Sequence, residues 1–77
     1  MINRKYLIDK IKEHTNEEKI MYACKKLSFE CNVDYMTIYR FAKFTIPIEE
    51  NLIKILRTLQ LDCNVLFLSK NLEVLNE

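Results

Sequence analysis

The chain has 77 residues, of which 49% are hydrophobic and 30% charged, and its formal net charge at pH 7 is +1. This length predicts a single domain, which needs a dense core that the hydrophobic fraction can supply, and the charged fraction argues against intrinsic disorder. No apolar run approaches the roughly 20 residues of a membrane-spanning helix, and no apolar signal segment follows the basic start of the chain. We therefore expect a cytoplasmic protein without membrane contact.

Glycine is absent from the chain, and proline occurs only at Pro47. Because β-hairpins and phosphate-binding loops depend on glycine, both are disfavoured. A glycine-free chain rich in Leu, Ile, Lys and Glu favours an all-α fold. Asparagine is then expected wherever the backbone must be left-handed.

The three cysteines and the single histidine do not resemble a metal site. Cys24, Cys31 and Cys63 lack the paired spacing of zinc ligands, and His14 is distant from them in sequence. We expect small, buried, reduced thiols, with no metal and no cofactor. No nucleophile–base pair is recognisable, so the chain is not expected to be an enzyme.

Two helices are predicted before residue 32. Ile8, Ile11 and Thr15 form an apolar stripe on a helix from about residue 3 to residue 14. Residues 15–18 (Thr-Asn-Glu-Glu) have the pattern of a capping box, which predicts that Thr15 caps a second helix. That helix is expected to bury residues spaced by four, three and four positions: Ile20, Cys24, Leu27 and Cys31.

A sharp corner is predicted after the second helix. Asn32 suits a left-handed residue at the helix end, Val33 is apolar, and Asp34 is a strong N-cap. A third helix is expected from Asp34 to about Ala42. Its inward side should carry Ile38, Phe41 and Ala42.

The remaining chain is predicted to hold a loop and two further helical segments. Phe44–Ile48 contains the proline and should be a loop, followed by a fourth helix from residue 49 or 50. An apolar stripe on that helix comprises Leu52, Ile55, Leu56 and Leu59. A short fifth helical turn capped by Asp62 is expected within residues 61–68.

Residues 27–41 (LSFECNVDYMTIYRF) resemble the helix-turn-helix of the Xre/Cro, phage-repressor-like family. The family pattern there is Leu-Ala-x-x-x-Gly-Val-(Ser/Asp)-x-x-Thr-Ile-x-Arg-(Ile/Phe). The family also has a proline followed by Leu, Ile and Leu at +5, +8 and +12, and Pro47 is followed by Leu52, Ile55 and Leu59. The resemblance covers about residues 25–66. Asn32 replaces the family's turn glycine, and Cys24 replaces a glutamine that contacts phosphate in many members.

The resemblance implies a compact domain of four to five helices over residues 1–68, with the helix-turn-helix at about residues 24–42. It implies sequence-specific binding of double-stranded DNA by a small transcriptional regulator or repressor of a phage or another mobile element. The tail at residues 69–77, with Leu72, Val74 and Leu75, either frays or pairs with a second copy in a homodimer.

The resemblance also implies roles for individual positions. Arg40 is the residue expected to contact guanine, and Met36 or Thr37 would meet a thymine methyl. Lys25 and Lys26, with Lys43 and Thr45 beyond the recognition helix, would bind phosphate. The complete predicted DNA-binding set is Lys25, Lys26, Tyr35, Met36, Thr37, Tyr39, Arg40, Lys43 and Thr45.

A second interpretation is that the helix-turn-helix binds another protein, as in an antitoxin, an anti-repressor or an inhibitor of a host factor. Exposed aromatic and methionine side chains at residues 35, 36 and 39 would suit a protein interface equally well. The charge distribution favours DNA modestly, because residues 19–43 carry five basic and two acidic side chains while the chain as a whole is nearly neutral.

Overall fold

A computed structural model describes residues 2–67 of the chain and contains five helices in that range. They are α1 (Arg4–Thr15), α2 (Ile20–Cys31), α3 (Tyr35–Lys43), α4 (Glu49–Leu59) and the short α5 (Cys63–Leu66). Within residues 2–67 the only β-type pairing is an isolated antiparallel bridge between Ile2 and Phe67. The predicted all-α fold is confirmed.

None of the helices described in residues 2–67 combines the length and the apolar character that crossing a bilayer requires.

The tail at residues 69–77 is predicted either to fray or to pair with a second copy. It lies outside the described residues.

One hydrophobic core connects all five helices. Each helix contributes at least one side chain that is fully removed from solvent, and these include Leu7, Ile11, Leu27, Ile38, Phe41, Ile55 and Leu66. Burial of one such side chain stabilises the fold by about 1.5–3 kcal/mol. The predicted inward residues of α3, which are Ile38, Phe41 and Ala42, are confirmed as core residues.

The corner between α2 and α3 has the predicted form. Asn32 is left-handed, with φ 58° and ψ 44°, and its N–H donates to the Ser28 carbonyl at 3.0 Å. Val33 is buried, and the Asp34 carboxylate accepts from the Met36 N–H at 3.0 Å. The chain therefore reverses sharply at residues 32–34 and starts a new helix at once.

The predicted capping box at residues 15–18 is wrong. Thr15 is the last residue of α1, where it is buried and its hydroxyl donates to the Ile11 carbonyl at 2.8 Å. Asn16 is left-handed (φ 56°) and ends α1, so α2 begins only at Ile20 with no side-chain cap. The hydroxyl cannot serve the next helix because it is already used inside the preceding one.

One of the residues with a left-handed backbone is not the asparagine that the sequence predicted for such positions. Besides Asn16 and Asn32, Gln60 adopts φ 52° and ends α4. Its N–H donates to the Arg57 carbonyl at 3.3 Å, and the next residue, Leu61, is buried. A glutamine thus occupies a position for which the sequence predicted asparagine.

The first residues that the structure describes are hydrogen-bonded to α5 and to the residue before it. Asn3 caps α1 by accepting from the Tyr6 N–H at 3.1 Å, and its own N–H donates to the Leu66 carbonyl at 2.7 Å. The Tyr6 hydroxyl accepts from the Asp62 N–H at 2.9 Å. These contacts hold α5 against α1 and close the domain.

The predicted burial of the cysteines is correct for two of the three. Cys24 and Cys31 are buried, whereas Cys63, the first residue of the short α5, is exposed. All three are free thiols. Burial raises the pKa of the Cys24 thiol to about 11 and also raises the pKa of Cys31.

We expect a thiol reagent at pH 8 to label Cys63 rapidly in the folded protein, and Cys24 and Cys31 only after denaturation. The buried pair is inaccessible, and its raised pKa leaves little thiolate. Mass spectrometry of protein labelled with and without denaturant measures the difference. Equal labelling of all three thiols in both conditions would contradict this burial.

Replacing Asp34→Ala is expected to lower the free energy of unfolding by about 1 kcal/mol, because the first turn of α3 loses its cap. Asp34→Asn is the matched control, since its amide oxygen can still accept from the Met36 N–H. Urea denaturation followed by circular dichroism compares the two. An equal loss in both variants would mean that the charge, and not the cap, matters.

Candidate nucleic-acid interface

The outward face of α3 follows from its buried face. Ile38, Phe41 and Ala42 point into the core. At 3.6 residues per turn, the residues on the opposite side of the helix are Met36, Arg40 and Lys43. Arg40 and Lys43 are exposed, and Met36 is half-buried. We call these three residues the α3 face.

The two cations of the α3 face are not neutralised within the domain. Neither Arg40 nor Lys43 forms an ion pair in the part of the chain that the structure describes, residues 2–67. Both lie in the last turns of α3, where a positive charge also interacts favourably with the helix dipole. Their hydrogen-bond donors are therefore available to an anionic or polar partner.

The two tyrosines of α3 lie beside this face. Tyr35 and Tyr39 are half-buried and pack against the core. The Lys25 ammonium from α2 lies 5.3 Å from the centre of the Tyr35 ring. This distance allows a cation–π contact, worth about 0.5–1 kcal/mol at an exposed site. Lys25 is thus held next to the start of α3.

Two of the residues predicted to contact phosphate, Lys26 and Thr45, differ in how they are bonded within the domain. The Lys26 ammonium donates to the Thr15 carbonyl at 3.0 Å and lies 3.2 Å from the Glu17 carboxylate. It therefore fastens α2 to the end of α1. Thr45 is exposed just beyond α3, where its N–H donates to the Arg40 carbonyl at 2.9 Å.

Thr37, the remaining member of the predicted set, and Cys24, a departure from the family pattern, are both at least partly buried. Thr37 is half-buried on the flank of α3. Cys24 is fully buried, so this chain has no polar group at the position where the resembling family often contacts phosphate. The structure therefore leaves Lys25 on α2 and Arg40 and Lys43 on α3 as exposed cations, while the Lys26 ammonium is bonded to groups at the end of α1.

Sequence reasoning missed Arg4, which holds the end of α3. Its guanidinium donates to the Phe41 carbonyl and, at 2.8 Å, to the Phe44 carbonyl. These are carbonyls that the end of a helix leaves without partners. The contacts span 37 and 40 residues, so no local pattern in the sequence could indicate them.

Comparisons with models of protein families, with curated proteins and with solved structures each find no match to this chain.

Replacing Arg4→Ala is expected to lower the free energy of unfolding by about 1–2 kcal/mol, because two carbonyls at the end of α3 lose a charged donor. The neighbouring change Lys5→Ala is the control. Lys5 pairs only with Asp9 in solvent, so little change is expected. Thermal and urea unfolding compare the two variants. Equal stability of both would show that Arg4 does not support α3.

Proposed function

We propose that this protein binds double-stranded DNA in a sequence-specific manner and acts as a small transcriptional regulator. In this proposal α3 is the recognition helix and enters the major groove. The observation that carries the proposal is the α3 face, where Arg40 and Lys43 project outward from a helix that begins at the sharp corner of residues 32–34. The resemblance of residues 27–41 to the Xre/Cro helix-turn-helix supports the same assignment.

The chemistry of the α3 face suits a groove of DNA. The Arg40 guanidinium can donate two hydrogen bonds to the O6 and N7 acceptors of one guanine, and Met36 can contact a thymine methyl. In this proposal Lys43 and Thr45, which are exposed at the end of α3, and Lys25, which is exposed on α2, contact phosphates. One helix thereby supplies both base contacts and phosphate contacts.

Because the net charge is small, the charge close to the binding surface should determine the affinity for DNA. A chain of net charge +1 attracts DNA only weakly at long range. Close to the surface, however, the cations of the α3 face have no acidic partner among residues 2–67. Affinity should then depend on a small number of direct contacts, and each one should matter.

The test is selection of binding sites from random duplex DNA, followed by titration of the selected duplex at two salt concentrations. We expect Arg40→Glu to weaken binding at least about tenfold, since one bidentate arginine–guanine pair provides about 1–3 kcal/mol. Arg57→Glu is the matched control, because it makes the same change of charge at an exposed position on α4.

Lys25→Ala should weaken binding to all duplexes alike and reduce the slope of log K against log salt by about 0.9. Failure to select any duplex at low salt would reject the proposal. Equal loss in Arg40→Glu and Arg57→Glu would show that binding follows total charge and does not use the α3 face.

Binding to another protein is the second candidate function, and a specific observation favours it. Phe29, near the end of α2, is 90% exposed, and further large apolar side chains are exposed after α3. Side chains of this kind are more useful to a protein interface than to a phosphate backbone. If no duplex binds, substitutions at Phe29 and in the loop after α3 identify the surface that a protein partner would use.

A further inference from the structure

The loop between α3 and α4 exposes three large apolar side chains in succession. Phe44, Ile46 and Ile48 are 70%, 54% and 67% exposed. They lie within five consecutive residues, 44–48, that include no charged side chain. We call residues 44–48 the apolar loop. A run of this kind on a small domain is typical of a surface that binds another molecule.

Opposite charges flank the apolar loop. Lys43 precedes it, and Glu49 and Glu50 follow it. Lys43 and Glu49 are exposed, and neither forms an ion pair within the described range 2–67, while Glu50 makes only a 3.7 Å contact with Lys54. The surface is therefore positive at one end, apolar in the middle and negative at the other end. Such a surface is complementary to a copy of itself related by a two-fold axis.

We propose that the apolar loop is the interface between two copies of this chain, with the two-fold axis passing at Ile46. This axis sets Phe44 of one copy against Ile48 of the other, and Lys43 against Glu49. Each pairing occurs twice, because a two-fold interface uses the same surface from both copies.

The contact is one of side chains and not of backbone strands. Pro47 has no N–H, and the Thr45 N–H is already bonded to the Arg40 carbonyl at 2.9 Å. A standard interface buries about 800 Å² per partner, and a five-residue loop supplies only part of that area. We therefore expect a reversible dimer with a dissociation constant of micromolar order.

The dimer goes beyond the proposed function and does not require it. If DNA binding also holds, the two copies of α3 flank the axis directly, because the apolar loop begins where α3 ends. The DNA site should then consist of two half-sites related by two-fold symmetry, and this consequence alone rests on the proposed function.

Sedimentation equilibrium of the full chain without DNA is the first test, over protein concentrations from about 10 to about 1,000 µM. The mass should rise from 9.3 kDa towards twice that value. Ile46→Asp and Ile48→Asp should each weaken the dimer at least about tenfold. Phe29→Asp is the matched control, since it introduces the same charge at another exposed apolar residue and should leave the dimer intact. Circular dichroism checks that each variant is folded.

A charge exchange tests the register of the pairing. Lys43→Glu and Glu49→Lys should each weaken the dimer about tenfold, because each places like charges together twice. The double variant, Lys43→Glu with Glu49→Lys, should recover the dimer of the unmodified chain. Failure of the double variant to recover it would exclude the proposed axis.

Several outcomes would overturn the proposal. One is a mass that stays at 9.3 kDa over the whole concentration range. The same monomer mass would be expected if residues 68–77 of the chain covered its own apolar loop. Another is equal weakening by Ile46→Asp and Phe29→Asp. A third is loss of the dimer in Leu72→Ser with Leu75→Ser while Ile46→Asp still dimerises, which would assign the interface to the tail. Because no arm contains DNA, a failure of DNA binding leaves these results unaffected.

Discussion

The left-handed turn at Asn32 is the constraint on which the functional surface depends. For a residue other than glycine this conformation costs roughly 1–2 kcal/mol. The hydrogen bond from its N–H to the Ser28 carbonyl and the burial of Val33 immediately afterwards offset that cost. If α2 continued through this point, the next residues would extend the same rod. The residues of the α3 face would then lie on a continuation of α2 and would not form a separate helix with its own exposed side.

Three kinds of interaction hold α3 in place, and each acts on a different part of the helix. The Asp34 carboxylate caps its first turn, Ile38 and Phe41 bury its middle, and the Arg4 guanidinium binds carbonyls at its end. A recognition surface needs such support, because small displacements of its side chains weaken directional hydrogen bonds. In this protein the support at the end of α3 comes from Arg4 of α1, which sequence reasoning did not connect with α3.

Two surfaces of different chemistry adjoin each other where α3 ends. The α3 face presents cations that form no ion pair among residues 2–67, and the apolar loop that follows it presents Phe44, Ile46 and Ile48. Neither surface is explained by the stability of the isolated domain, because burying these apolar groups would be favourable and the cations gain little where they stand. Their adjacency suits a protein that binds one partner through charge and another copy of itself through apolar contact.

The sequence by itself determined the helices, the corner at residues 32–34 and the inward face of α3, since these depend on residues within about four positions of one another. It also indicated the apolar tail, which lies outside residues 2–67, and the cationic character of α3. The same local reasoning placed a cap at Thr15 that does not exist, because an identical hydroxyl can end one helix or begin the next. Only the tertiary structure decided that Arg4 supports α3, that Lys26 is bound within the domain and that Cys63 is exposed. Those facts follow from how distant helices stack, and a periodic pattern along the chain carries no information about that stacking.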